Sequence, residues 1–135
     1  MKVCVVGAGA IGGYMAVRIA AVGHEVSVVA RGPHLEAIKT HGMKLIEGDQ
    51  ETIARNLVAT NSISELSPQD LVLMALKAHQ IESVVDSLSS VMSSDTAMVT
   101  LQNGIPWWYF QNFSGPYAGR PVRSVDPHGK LFEGI

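Results

Sequence analysis

Three glycines, Gly7, Gly9 and Gly12, stand at G-x-G-x-x-G spacing between the apolar run from Lys2 to Val6 and the start of a helical pattern. That arrangement suits an anion cradle. Gly7 permits a tight turn, Gly9 lets the backbone come close to a pyrophosphate, and Gly12 lets the following helix pack tightly on the strand. No Ser, Thr, Asp or Asn caps the helix start between Ala8 and Ile11, so its first N–H groups lack a side-chain partner. A phosphate would supply one, helped by the helix dipole. The stretch Gly7, Ala8, Gly9, Ala10, Ile11, Gly12 is therefore read as the phosphate-binding segment of a dinucleotide site.

Three more residues fall where such a site would use them. An NAD site places an acidic residue at the end of its second strand, where it accepts from the ribose 2′-hydroxyl. Here that place holds Arg31. A guanidinium pairs with a 2′-phosphate through two parallel hydrogen bonds, which favours NADP over NAD. Glu36 lies too far along the next helix to be the first choice for the acid. Lys77 and Asn103 follow two later strand-like runs, and each also has an ordinary reading, as a surface charge and as the first residue of an Asn-Gly turn.

The elements that must carry these residues alternate. Val3, Val5 and Val6 suit a strand buried on both faces. Ile11, Met15, Ile19 and Val22 are spaced as one helix face, and Gly23 ends that helix before a second strand from Glu25 to Ala30. Pro33 opens a short helix that ends at Gly42. Short strands are predicted over Met43 to Ile46 and Leu57 to Ala59, with the Glu47–Gln50 turn between them. Asp70 to Leu76 reads as a central strand, Gln80 to Met92 as a helix through Ile81, Val84, Val85, Leu88 and Met92, and Thr96 to Leu101 as a fifth strand. The expected fold class is α/β, a Rossmann-like, doubly wound, mostly parallel sheet with its ligands at the carboxyl ends of the strands.

Composition narrows the partners. The chain has 135 residues and a formal charge of −2, with no run of Lys or Arg to serve as a nucleic-acid or anionic-lipid footprint. No apolar stretch reaches the length of a membrane span. The single cysteine, Cys4, is a small hydrophobe within the first strand. His34, His41 and His128 have no partner at metal-ligand spacing, so no metal is assigned. Lys2 with its apolar run and Ala8-Gly9-Ala10 has the outline of a signal peptide, but three glycines interrupt it and Arg18 lies on the continuing helix, so a cytoplasmic location is expected.

GAGAIGGYMA at the first turn, Val29-Ala30-Arg31, Leu76-Lys77-Ala78 and Leu101-Gln102-Asn103-Gly104-Ile105 together resemble the ketopantoate reductase family, the 2-dehydropantoate 2-reductases of pantothenate biosynthesis. The resemblance implies NADPH-dependent reduction of 2-dehydropantoate, a small 2-keto acid, to pantoate. It places the pyrophosphate on Gly7 to Gly12 and the 2′-phosphate on Arg31, with Lys77 and Asn103 lining the cleft and Asn103 reaching the substrate. The family resembles longer two-domain proteins whose proton-donating lysine and its carboxylate partner belong to a helical C-terminal domain. Nothing here corresponds to that domain, so no catalytic residue is assigned and the chain alone is expected to be inactive.

Residues 1–113 are accordingly read as the NADP-binding domain and 114–135 as a connection toward an absent domain. The aromatic cluster Trp107, Trp108, Tyr109, Phe110 and Phe113 is expected to face that domain, leaving a surface open to self-association. Two other functions stay open at this point: reduction of a different 2-keto acid, and a non-catalytic dinucleotide-sensing domain.

Overall fold

The computed structural model describes residues 1–135. In chain order its elements are β1 (Lys2–Val6), α1 (Ala10–Ala21), β2 (Glu25–Val29), α2 (Gly32–His41), β3 (Met43–Glu47), β4 (Gln50–Ala54), β5 (Val58–Thr60), β6 (Leu71–Met74), α3 (Ala78–Ile81), β7 (Ala97–Thr100) and α4 (Lys130–Gly134), with 3₁₀ segments at Ile63–Glu65 and Glu82–Ser90. Five strands make one sheet in the order β5-β2-β1-β6-β7, with every pairing parallel. This is the expected Rossmann-like topology. The order runs outward from β1 through β2 to β5, then jumps back to β6 on the other side of β1. That reversal opens a crevice beyond the carboxyl ends of β1 and β6.

The strand period of two sorts β1 between two cores. Val3 and Val5 join Val26, Val28 and Leu73 under α1 and α2, whereas Cys4 and Val6 join Val29, Val72 and Met74 on the opposite face. Burial there pushes the Cys4 thiol up to about 12.

Four expectations need correction. The face that α1 presents to the sheet is Gly12, Ala16, Val17 and Ala20. Ile11 and Val22 are 61% and 73% exposed. Met15 and Ile19 do pack against the core as expected. A helix that must approach the glycine turn closely makes its tightest contact through its smallest side chains, so the stripe is centred on Gly12, Ala16, Val17 and Ala20 and leaves out Ile11 and Val22. A second strand, β4, pairs antiparallel with β3 across the Glu47–Gln50 turn, and the next strand follows later, at β5. Gln50-Glu51-Thr52-Ile53-Ala54 is too polar to announce itself, because the hairpin is largely solvated and buries Ala54 alone among these five.

The predicted helix over Gln80 to Met92 is a single α turn, α3, continued as 3₁₀, and Val91 is buried at its end where Met92 is only partly so. The fourth correction concerns the aromatic cluster. Trp107 is 2% exposed and belongs to the core that also contains Ile81, Leu88 and Leu131, while Trp108 is 44% exposed. Residues 114–135, read from the sequence as a connection, include α4. Asp126, itself buried, accepts from the N–H groups of Leu131 at 3.2 Å and Phe132 at 2.9 Å, and so starts that helix. Leu131 seals the second core beneath it.

Candidate functional site

The parallel register brings the strand ends to one level. Val6 is paired with both Val29 and Met74, and Met74 with Thr100. Each ladder then runs one residue further: Gly7 N–H donates to Val29 C=O at 3.1 Å, Ala75 N–H to Val6 C=O at 2.9 Å, and Leu101 N–H to Met74 C=O at 3.0 Å. The loops carrying Gly7, Arg31, Lys77 and Asn103 therefore all leave the sheet along the same edge. They meet in a cleft of about 640 Å³, a size ordinary for a small-molecule or cofactor site.

The glycines divide the work of shaping it. Gly7 has φ +105°, and a side chain there would meet Leu76 Cδ2 at 2.9 Å. At Gly12 a Cβ would sit 1.9 Å from the Gly7 carbonyl oxygen, so only glycine lets α1 start this close to β1. Gly12 is thus buried beneath the turn and does not line the cleft, unlike Gly7, Ala8, Gly9, Ala10 and Ile11. Gly9 is the N-cap of α1, makes no side-chain cap bond, and has no protein atom within 4 Å of where its Cβ would stand. The first turn of α1 consequently presents bare backbone donors to open space, which fits a phosphate-bearing group.

Charge points the same way. Arg31 and Lys77 line the cleft, both are exposed, and neither enters any of the three ion pairs in the chain. No Asp or Glu is among the lining residues. A concave site walled by low-dielectric protein and carrying only positive formal charge attracts anions. Arg31 lies two residues beyond β2, as the N-cap of α2, in extended conformation with φ −133° and ψ 157°. Asn103 lies beyond β7 on the opposite side.

Four polar lining residues were not singled out from the sequence as ligands: His34, Gln80, Ser83 and Gln102. His34 follows Arg31 by three residues on the first turn of α2, which is a legible signal. Gln102 has none except its place beside Asn103. No helix is long and apolar enough to cross a membrane.

The family model for ketopantoate reductase PanE/ApbA matches residues 3–106. A 2-dehydropantoate 2-reductase of Mesorhizobium japonicum is 44% identical over the whole of this chain, which spans 41% of that relative's length. Among solved structures, a candidate ketopantoate reductase from Ralstonia solanacearum MolK2 superposes with a TM-score of 0.91 at 38% identity, over 98% of this chain and 41% of that one. D-mandelate dehydrogenase, solved with NADH and anilino(oxo)acetate, superposes with a TM-score of 0.68 at 30% identity, over 78% of this chain and 35% of its own. With the glycine turn, the strand order and the Lys77 and Asn103 loops all in place, the chain belongs to the ketopantoate reductase PanE/ApbA family of oxidoreductases.

Proposed function

We propose that this chain is the cofactor-binding half of an NADPH-dependent reductase that converts 2-dehydropantoate to pantoate. One observation carries the reading: a cleft at the carboxyl edge of the sheet that joins uncapped backbone donors to two unpaired cations and contains no carboxylate. The reduced nicotinamide, when bound, supplies a hydride to a carbonyl carbon. The residues of this chain bind and orient. Gly7 to Ile11 take the pyrophosphate, Gly12 sets the helix close enough for them to do so, and Arg31 pairs with the 2′-phosphate. Lys77 adds positive charge on the β6 side of the cleft, and Asn103 offers an amide to cofactor and substrate oxygens. The proton for the product oxygen is assigned to the part of its relatives' length that this chain does not span, so the purified chain is expected to show no 2-dehydropantoate-dependent oxidation of NADPH.

A second reading, reduction of another 2-keto acid, is favoured by the D-mandelate dehydrogenase likeness. That protein holds NADH, which makes Arg31 the residue to test. Titrating NADPH and NADH against wild type and Arg31→Ala at two ionic strengths is the experiment. Loss of one charge-assisted pair is expected to weaken NADPH about tenfold to hundredfold and leave NADH nearly unchanged. High salt is expected to erode the wild-type preference. Equal losses for both cofactors would mean that Arg31 supports the loop and does not read the phosphate.

A further inference from the structure

The cleft residues that bear charge stand on loops, and a loop lysine is a poor ligand unless its backbone is held. The peptide group joining Leu76 to Lys77 is held from both ends by glutamine side chains. Its carbonyl accepts from Gln102 Nε2 at 3.0 Å, and its N–H donates to Gln80 Oε1 at 3.2 Å. Gln102 Nε2 also donates to the Met74 carbonyl at 2.7 Å. Because it faces two carbonyls, the orientation of this amide is fixed by its partners, and the N–H partner fixes that of Gln80 in the same way. The Met74 carbonyl already receives the Leu101 N–H, so what Gln102 adds beyond the sheet ladder is its grip on Leu76. The Gln80 N–H donates in turn to the Lys77 carbonyl at 2.8 Å. The peptide groups on both sides of the Lys77 Cα are therefore pinned, with φ −67° and ψ 149°.

This segment also touches the phosphate cradle. Ala75 and Leu76 are the atoms that a side chain at Gly7 would strike, and Gln102 is the residue before Asn103. A single glutamine on the β7 loop thus ties the Lys77 loop to the Asn103 loop, against the glycine turn. We infer that Gln102 and Gln80 are positioning residues: they clamp the Leu76–Lys77 peptide and so preset Lys77 toward an anionic cofactor. Such presetting removes ordering cost from binding. The inference rests on the cofactor reading above and names how that site is held.

A double-mutant cycle separates a clamp that acts through Lys77 from a brace that merely supports the fold. NADPH is titrated against wild type, Lys77→Met, Gln102→Met, Gln80→Met and the two doubles that combine a glutamine change with Lys77→Met. Methionine keeps the length of glutamine and removes both donor and acceptor. Each glutamine change is expected to weaken NADPH about threefold to tenfold in the wild-type background and less than about twofold once Lys77 is gone. Equal losses in both backgrounds overturn the inference while leaving the cofactor reading intact. A Lys77→Met variant with unaltered affinity overturns this inference and the role of Lys77 alone, whereas a wild type that does not bind NADPH overturns the cofactor reading and this inference with it. Should Gln102→Met fail to fold, Gln80→Met carries the cycle, since Gln80 is exposed. Hydrogen exchange supplies a test without cofactor: the Lys77 amide is expected to be protected in wild type and to exchange about tenfold faster in Gln80→Met. An amide that exchanges equally fast in both overturns the clamp.

Discussion

The two faces of the sheet are covered by different means. On the first face α1 makes contact through small or compact residues, Gly12, Ala16, Val17 and Ala20, and α2 through Leu35 and Ile38, both helices being adjacent in sequence to the strands they cover. The other face is covered by one α turn, a 3₁₀ stretch, and two residues from far along the chain, Trp107 and Leu131. The first face is local in sequence and sets the geometry of the phosphate cradle. The second is assembled over long range and contributes bulk. Damage at Trp107 or Leu131, which do not line the cleft, is therefore expected to cost stability with the cofactor site kept, and damage at Gly12 on the first face to cost both.

The largest effect tests the long-range face. Trp107→Ala removes the largest side chain of the second core, where large-to-small changes of this kind cost about 3–5 kcal/mol. Denaturant unfolding is expected to show that loss, and the fraction still folded is expected to bind NADPH with unchanged affinity. A Trp107→Ala variant as stable as wild type would return this residue to the surface. Next in size is Gly12→Ala. A methyl 1.9 Å from the Gly7 oxygen and 2.9 Å from Ala75 Cβ fits only if α1 and the turn move apart. Overpacking of this severity is expected to cost about 3 kcal/mol and, unlike Trp107→Ala, to abolish cofactor binding in whatever remains folded. Retained affinity in Gly12→Ala would erase the contrast between the faces.

The same contrast explains what the sequence made legible. β1, β2 and β6 declare themselves through β-branched or apolar runs, since a central parallel strand is buried on both sides, and β7 by a similar run although it forms the sheet edge and buries none of its residues. Gly7, Arg31, Lys77 and Asn103 could be gathered on one edge from strand order alone. The stripe on α1 was read only in part, through Met15 and Ile19, because close approach favours glycine and alanine, which a search for large apolar residues passes over. β4 was missed because a solvated hairpin strand carries little hydrophobic signal. Trp107, Leu131 and Asp126 were illegible for a different reason: the first two join a core built from β1, β6 and the Ile81–Val91 segment far away in sequence, and Asp126 accepts from helix N–H groups five and six residues on across a turn, and no local period encodes such contacts. Gln102 shows the limit most plainly. Its partners are 28 and 26 residues away, and both are backbone carbonyls, whose positions depend on the finished register.

An intermediate effect reads the second face through pH. Cys4 belongs to that core, and its thiol is pushed from an ordinary 9.0 to about 12 by burial. The unfolded chain therefore releases this proton at lower pH than the folded one. Stability from the buried neutral thiol is fully present below about pH 9 and falls as pH rises toward 12, at about 1.4 kcal/mol per unit. By about pH 10.5 the loss is expected to reach about 2 kcal/mol. Comparing the alkaline unfolding curves of wild type and Cys4→Ala isolates it, because other groups titrate in both. Parallel curves would show that the folded thiol ionises freely.

The smallest expected effect belongs to the rim between the faces. Arg31, Lys77 and Asn103 are exposed at the carboxyl edge, and neither cation joins an ion pair. Surface positions without such contacts change stability by about 0.5 kcal/mol or less when truncated. Arg31→Ala, Lys77→Ala and Asn103→Ala are each expected to unfold within that margin of wild type, although Arg31→Ala loses most of its preference for NADPH. The informative comparison is with Gln102→Met, which lies one residue from Asn103 but surrenders two hydrogen bonds to backbone carbonyls. It is expected to be less stable than any of the three rim variants. A rim variant that destabilises as much as Gln102→Met would mean that its side chain braces a loop. The cationic edge would then be part of the scaffold, and its charge alone would no longer argue for an anionic ligand.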